Sequence, residues 1–218
     1  MKIPLMKEIL KTNDQVASEN RAMFDSERIF SLNLMASPGA GKTSLILATV
    51  ERIPRDIKAG VIEGDVASSL DAQIIASRGI PVVQINTGGG CHLDAPMVRS
   101  ALSKLPLKEI NLLFVENVGN LVCPAYFPLG THLNVVIASV PEGQDKPYKY
   151  PDIFTAADVV ILNKIDLLPL VDFDTEHFKR GIFMVNPEAP IFPLSCKTGQ
   201  GFEEWVKWLL TKLRSAFL

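Results

Sequence analysis

Eight residues, Ala36-Ser37-Pro38-Gly39-Ala40-Gly41-Lys42-Thr43, follow an apolar run (Phe30–Met35) and lead into a stretch with helical spacing (Thr43–Ile53). A small-residue loop of this kind needs a strand before it and a helix after it, which narrows the fold to the α/β class. The spacing is that of Walker A, with Ala36 where a glycine is usual. Small residues let backbone N–H groups turn inward around phosphates, Lys42 reaches the β and γ oxygens, and the Thr43 hydroxyl suits Mg²⁺. The helix that follows aims its positive end at the same anion. Gly39, Ala40, Gly41, Lys42, Thr43 and Ser44 are therefore the candidate nucleotide-binding residues of this loop.

The rest of the chain repeats the alternation. Short apolar runs at Phe30–Met35, Ala59–Ile62, Pro81–Ile85, Leu112–Val115, Val135–Ala138, Val159–Leu162 and Ile191–Pro193 give seven expected strands. Runs such as Leu112-Leu113-Phe114-Val115 are apolar at successive positions, as strands covered on both faces by helices are. The expected fold is a mostly parallel sheet with helices on both faces, the crossovers falling near Ser69–Arg78, Ala95–Leu105, Thr175–Arg180 and Phe202–Leu213. Residues from Pro4 to Asp25 predict a leading helix outside the main fold, so the expected organisation is an extension over 1–28 and a nucleotide-binding domain over 29–218. With 218 residues, 47% of them apolar, the chain can bury one domain core. A net charge of −2 gives no nucleic-acid footprint. No apolar run nears the ~20 residues that span a bilayer, and the first ten residues carry Lys2, Lys7 and Glu8 rather than a signal sequence. Three cysteines do not make a disulfide framework, which fits a reducing, cytoplasmic setting.

The base is indicated by Asn163-Lys164-Ile165-Asp166, directly after the sixth apolar run. A carboxylate such as Asp166 can accept both N1–H and the exocyclic amine of guanine, whereas adenine has no matching donor pair and would leave it unpaired. Asn163 would hold the loop and the Lys164 stem would cover a ring face. Ser195-Cys196-Lys197 after the last run looks like the final guanine loop of GTPases. GTP, with GDP as product, is thus expected over ATP, and a P-loop kinase is disfavoured. Glu116-Asn117-Val118-Gly119 stands where a DxxG switch would, with the Gly119 N–H placed to sense a γ-phosphate and Glu116 near Mg²⁺ through water. Asp65, after the second run, is the other candidate for the metal or the attacking water; as a turn residue it would have neither role. Asn120 replaces the glutamine that orients water in many GTPases, so slow intrinsic hydrolysis is expected. Lys42, Asp65, Glu116 and Gly119 form the candidate catalytic set.

Cys91 and His92 follow the third run and Cys123 follows the fourth, so a parallel sheet would bring them to one edge, that of the phosphate loop. Thiolate, imidazole and thiolate suit Zn²⁺ or Ni²⁺, and three ligands leave a position open for exchange or for a two-fold partner's ligands. The residue pattern alone equally fits two unrelated thiols and a loop histidine, as it does for His132, His177 and Cys196.

Taken together, the Ser37–Thr43 loop, Gly64-Asp65, Gly88-Gly89-Gly90-Cys91-His92-Leu93-Asp94, Glu116 to Pro124, Pro141 to Pro151 and Asn163 to Asp166 resemble the HypB family of nickel-incorporation GTPases. The resemblance runs from Phe30 to the C-terminus, and its Cys-His and Val-Cys-Pro segments are the specific ones. It implies a SIMIBI-class GTPase fold and a homodimer formed with GTP. It also implies nickel or zinc on Cys91, His92 and Cys123, and delivery to the large subunit of [NiFe]-hydrogenase with a HypA-like metallochaperone. A urease-type nickel-insertion GTPase is the nearest alternative. Residues 1–30 carry neither the Cys-rich motif nor the His-rich stretch that members often add, so nickel capture there is not expected. Lys146 or Lys149 is a candidate to neutralise phosphate charge across the dimer.

Overall fold

A computed structural model describes the backbone of residues 5–217 and the side chains of residues 8–217. The readings of Lys2, Pro4 and the side chain of Lys7 lie outside the described residues. All seven expected strands form: β1 (Phe30–Ala36), β2 (Ala59–Asp65), β3 (Val82–Asn86), β4 (Leu112–Glu116), β5 (Leu133–Ser139), β6 (Val159–Asn163) and β7 (Ile191–Pro193). They make one parallel sheet in the order β3-β2-β4-β1-β5-β6-β7. The order reverses direction at β1, which opens a crevice beyond the carboxyl ends of the central strands.

Strands β1, β4, β5 and β6 are buried along nearly their whole length because helices cover both faces. On one face α2 (Lys42–Val50) and α8 (Phe202–Ser215) pack Leu45, Ile46, Phe202 and Trp205 against Leu34, Ile137 and Ile161. On the other, α4 (Ala95–Leu102) brings Val98 and Leu102 to Ile62, Leu113 and Val115. Further along that face, α7 (Thr175–Val185) brings Phe178 and Ile182 to Val136 and Val160. The crossover α3 (Leu70–Ser77) is more exposed, with Ala72 and Ile75 its buried residues.

Three elements differ from the sequence reading. The leading helix, α1 (Leu5–Ser26), does not lie outside the fold. It docks against α4, with Phe24 wholly buried beside Val98 and Leu129. Asn20 donates to the carbonyls of Ala95 and Leu129. The loose apolar spacing concealed this because much of the docking is polar. The segment after β5 is not one polar loop. Pro147 and Pro151 start two short helices, α5 (Lys146–Lys149) and α6 (Pro151–Thr155), since proline is preorganised for the first helical position. Finally, α7 runs five residues past the expected Arg180. Among the described residues no helix is long and apolar enough to cross a membrane.

Candidate nucleotide and metal site

The phosphate loop lies between β1 and α2. Gly39 and Gly41 both have positive φ, at 76° and 104°. At Gly41 there is also no room for a side chain, because a Cβ would collide with the Asn163 amide. That amide donates to the Ala40 carbonyl at 2.9 Å, and Lys164 Nζ donates to the Gly39 carbonyl at 2.7 Å. The phosphate loop and the base loop are therefore stitched together. Asn163 Oδ1 accepts from the Lys164 and Cys196 N–H groups, and Ser195 Oγ donates to Asp166 Oδ1 at 2.6 Å. Gly41, Ser44, Asn163, Lys164, Asp166, Cys196 and Lys197 line a cavity of about 290 Å³, bringing the residues expected at the base into one place. Burial pushes the Cys196 thiol up to about 11, so it is a neutral wall group at neutral pH.

Beside the loop is a set of carboxyl groups. Thr43 Oγ1 donates to Glu116 Oε1 at 2.9 Å. Glu63 stands opposite Glu116 in the β2–β4 register, and oxygens of Glu63, Asp71 and Glu116 lie within 4.8 Å of one another. Glu63 Oε2 and Glu116 Oε2 are buried with no hydrogen-bond partner. Burial, then the charges of Glu116, Asp65 and Asp71, push Glu63 up to about 8; burial pushes Glu116 up to about 7, opposed by Lys42 and the Thr43 hydrogen bond. Two orphaned oxygens in an acidic, buried cradle beside a threonine hydroxyl suit a hard divalent cation. Asp65 has a different surrounding. Its Oδ1 accepts from the Ala67 and Ser68 N–H groups, which hold the carboxyl below its ordinary range. Glu63 and Asp71 are the acids that sequence reasoning missed; the register that faces Glu63 to Glu116 has no trace in the local pattern.

The switch segment after β4 touches the phosphate loop directly. A Cβ on Gly119 would stand 2.9 Å from Pro38, which only glycine avoids. Further along, Cys123 meets Cys91: their Sγ atoms are 3.1 Å apart, and His92 Nδ1 is 3.7 Å from Cys91 Sγ. The three ligand atoms lie within 4.8 Å of one another, as one ion requires. Two thiolates on one tetrahedral ion sit about 3.8 Å apart, given Zn–S bonds of about 2.3 Å, so an ion of that geometry would spread this pair. Hydrogen bonding to Cys123 and burial push the Cys91 thiol up. Burial holds His92 below its ordinary value, and its ring stacks on Phe127 at 3.9 Å. A neutral imidazole is the ligand form.

The remaining candidates lie apart from this cluster. His132 bonds Ser31 and Asp25, and His177 pairs with Asp145. Lys146 and Lys149 pair with Glu142 and Asp145 at 3.9 and 3.5 Å.

Residues 31–193 match the family described as CobW/HypB/UreG, nucleotide-binding domain. The hydrogenase maturation factor HypB of Azotobacter vinelandii is 52% identical over 203 residues, covering 93% of this chain and 67% of its own length. HypB of Escherichia coli K12 is 46% identical over 205 residues, 94% of this chain and 71% of its own length. The crystal structure of HypB from Helicobacter pylori in complex with nickel superposes with a TM-score of 0.90 at 38% identity, covering 94% of this chain and 97% of that one. With its phosphate loop, parallel sheet and Cys-His-Cys cluster on one edge, the chain belongs to the CobW/HypB/UreG family and, within it, to the HypB hydrogenase maturation factors.

Proposed function

We propose that the protein is a GTP-hydrolysing nickel metallochaperone, in which the nucleotide state of residues 29–218 governs a cargo site on Cys91, His92 and Cys123. The observation that carries the reading is continuity: the segment from Glu116 to Cys123 begins at the Thr43 hydroxyl, passes Gly119 against Pro38 and ends at the Cys123 thiol, which meets Cys91. Asp166, held by Ser195, selects guanine, while Asn163 and Lys164 brace the base loop on the phosphate loop. Lys42 neutralises charge at the β and γ oxygens. Thr43 and Glu116, with Glu63 and Asp71 in the same cradle and Asp65 alongside, would hold Mg²⁺, which would supply charge neutralisation at the leaving and transferred phosphates. The Gly119 N–H meets the γ-phosphate, and its loss on hydrolysis releases the switch.

The cargo site has three candidate ligands from one chain, so its open position suits binding and onward transfer of Ni²⁺ or Zn²⁺, and a homodimer formed with GTP would bring two such sites together. Lys146 or Lys149 is the residue we assign to phosphate across that dimer. A HypA-like metallochaperone and the large subunit of a [NiFe]-hydrogenase are the proposed exchange partners, in the cytoplasm. The similarity to proteins named hydrogenase maturation factors supports this assignment.

The test is a nickel titration of protein loaded with GDP or with a non-hydrolysable GTP analogue. Affinity or stoichiometry is expected to differ between the two states and to collapse in Cys91→Ala. Nickel binding that ignores the nucleotide would leave a GTPase without the switch.

A further inference from the structure

Two asparagines in the switch segment have no part in nucleotide or metal chemistry, yet both reach the Cys91–Leu93 loop. Asn117 is wholly buried. Its Oδ1 accepts from the Leu93 and Val118 N–H groups at 2.9 and 3.0 Å, and its Nδ2 donates to Asn33 Oδ1 at 3.1 Å on β1. It fixes the floor of the loop to the central sheet. Asn120 is half-buried and joins three separate segments. Its N–H donates to the carbonyl of Ala36, the first residue of the phosphate loop, at 2.8 Å. Its side-chain Nδ2 donates to the Cys91 carbonyl at 3.1 Å, and its Oδ1 accepts from the Val122 N–H, one residue before Cys123, at 2.9 Å.

From this geometry we infer that Asn120 is the positioning residue that sets the Cys91–Cys123 separation according to nucleotide state. The inference rests on the nickel-switch reading above and deepens it. Asn120 follows Gly119 directly, so any movement of the Gly119 N–H toward or away from a γ-phosphate carries Asn120 with it. One arm of its amide holds the backbone of Cys91 and the other holds the turn that carries Cys123. The thiols stand 3.1 Å apart; with metal–sulfur bonds of about 2.3 Å, cis thiolates sit about 3.2 Å apart on a square-planar ion and about 3.8 Å apart on a tetrahedral one. A shift of a few tenths of an ångström in each of the two arms is therefore of the size that moves the thiol pair between the spacing of a square-planar site and that of a tetrahedral one.

The test uses the full chain and nickel as the probe, titrated in the GDP and non-hydrolysable GTP-analogue states, for wild type, Asn120→Ala and Asn120→Asp. Aspartate keeps the acceptor for Val122 and loses the donor to Cys91. Coupling between two ligand sites commonly amounts to about 5–150-fold in affinity. The ratio of nickel affinities between the two states is expected to fall to within about twofold in both variants. By reciprocity, the effect of nickel on analogue affinity falls to the same extent. The thiolate-to-nickel charge-transfer band, shifted by nucleotide in wild type, stays fixed in the variants. A residue that merely supports the loop would weaken nickel binding equally in both states and preserve the ratio. A wild-type ratio in Asn120→Ala overturns the assignment, and one in Asn120→Asp overturns the Cys91 arm. Absence of any ratio in the unmodified protein overturns the switch reading itself and this inference with it.

Discussion

Glu63 and Glu116 occupy matched positions in neighbouring strands, so their carboxyl groups meet on one face of the sheet in a place closed to water. Neither can ionise there at ordinary carboxylate pH without a cation, and both are raised in the folded chain, to about 8 and about 7. The sign of the consequence follows from linkage. Between the ordinary value near 4.5 and about 8, the native state holds protons that the unfolded chain has lost, so these groups make stability fall as pH rises. His132, held below its ordinary value by burial, then by Arg21, acts in the opposite sense around neutrality, so the comparison is made against a variant. In metal-free protein the urea midpoint is expected to drop from pH 5 to pH 8 less steeply in Glu63→Gln than in wild type. Saturating Mg²⁺ with GDP should flatten the wild-type slope, because the cation stabilises the ionised form. Equal slopes for the two metal-free proteins would place the proton elsewhere. The sequence pattern draws attention to Asp65 instead, since it ends a strand where a metal ligand is expected. Which acid faces which across strands is a property of register, and no local pattern encodes it.

Strands were the legible elements. Runs such as Val159–Leu162 are apolar at every position because helices lie on both sides, and that signal survives without any knowledge of tertiary structure. Helix α1 was legible as a helix and not as a docked one, because its interface is largely written in amides. Asn13 Nδ2 donates to the Pro128 carbonyl and its Oδ1 accepts from the Ala95 N–H. Asn20 donates to the carbonyls of Ala95 and Leu129 and accepts from Arg99 Nε at 2.7 Å, with no part of it exposed. Polar residues at interior helix positions read as solvent-facing by periodicity, so the sequence places this helix apart. Asn20→Ala strands the carbonyls of Ala95 and Leu129 in a closed interface, where each unmet group costs about 1–3 kcal/mol. A loss of about 2–4 kcal/mol in urea unfolding is expected, within a single transition, since Phe24 belongs to the same core as Val98 and Leu129. A separate early transition for α1, or a loss below about 0.5 kcal/mol, would show that the helix is only loosely attached.

At the scale of the molecule, stability and metal chemistry are assigned to different places. The apolar residues cluster on the two faces of the sheet, with Trp205, Phe114, Phe154 and Phe178 wholly buried among them. Cys91 is exposed and Cys123 half-buried at the carboxyl edge, outside those clusters. A domain whose folding depends on a metal has the ion where a core would otherwise be; here the core is complete without it. Stripping thiol-bound metal with a chelator is therefore expected to move the melting temperature by less than about 2 °C, far below the loss of cooperative folding that a structural zinc site suffers. Nucleotide should behave otherwise, because the loops expected to hold it, after β1, β6 and β7, are already joined to one another through Lys164, Asn163 and Asp166. GDP with Mg²⁺ at a hundred times its Kd adds about 2.7 kcal/mol, which in a chain of this length raises the melting temperature by about 5–11 °C. Chelation that melts the protein at room temperature would make the Cys-His-Cys cluster a structural site and remove the exchange function assigned to it. A small chelation effect beside a large nucleotide effect is what the proposed release of an ion on a nucleotide signal requires: the ion can then leave without the fold following it.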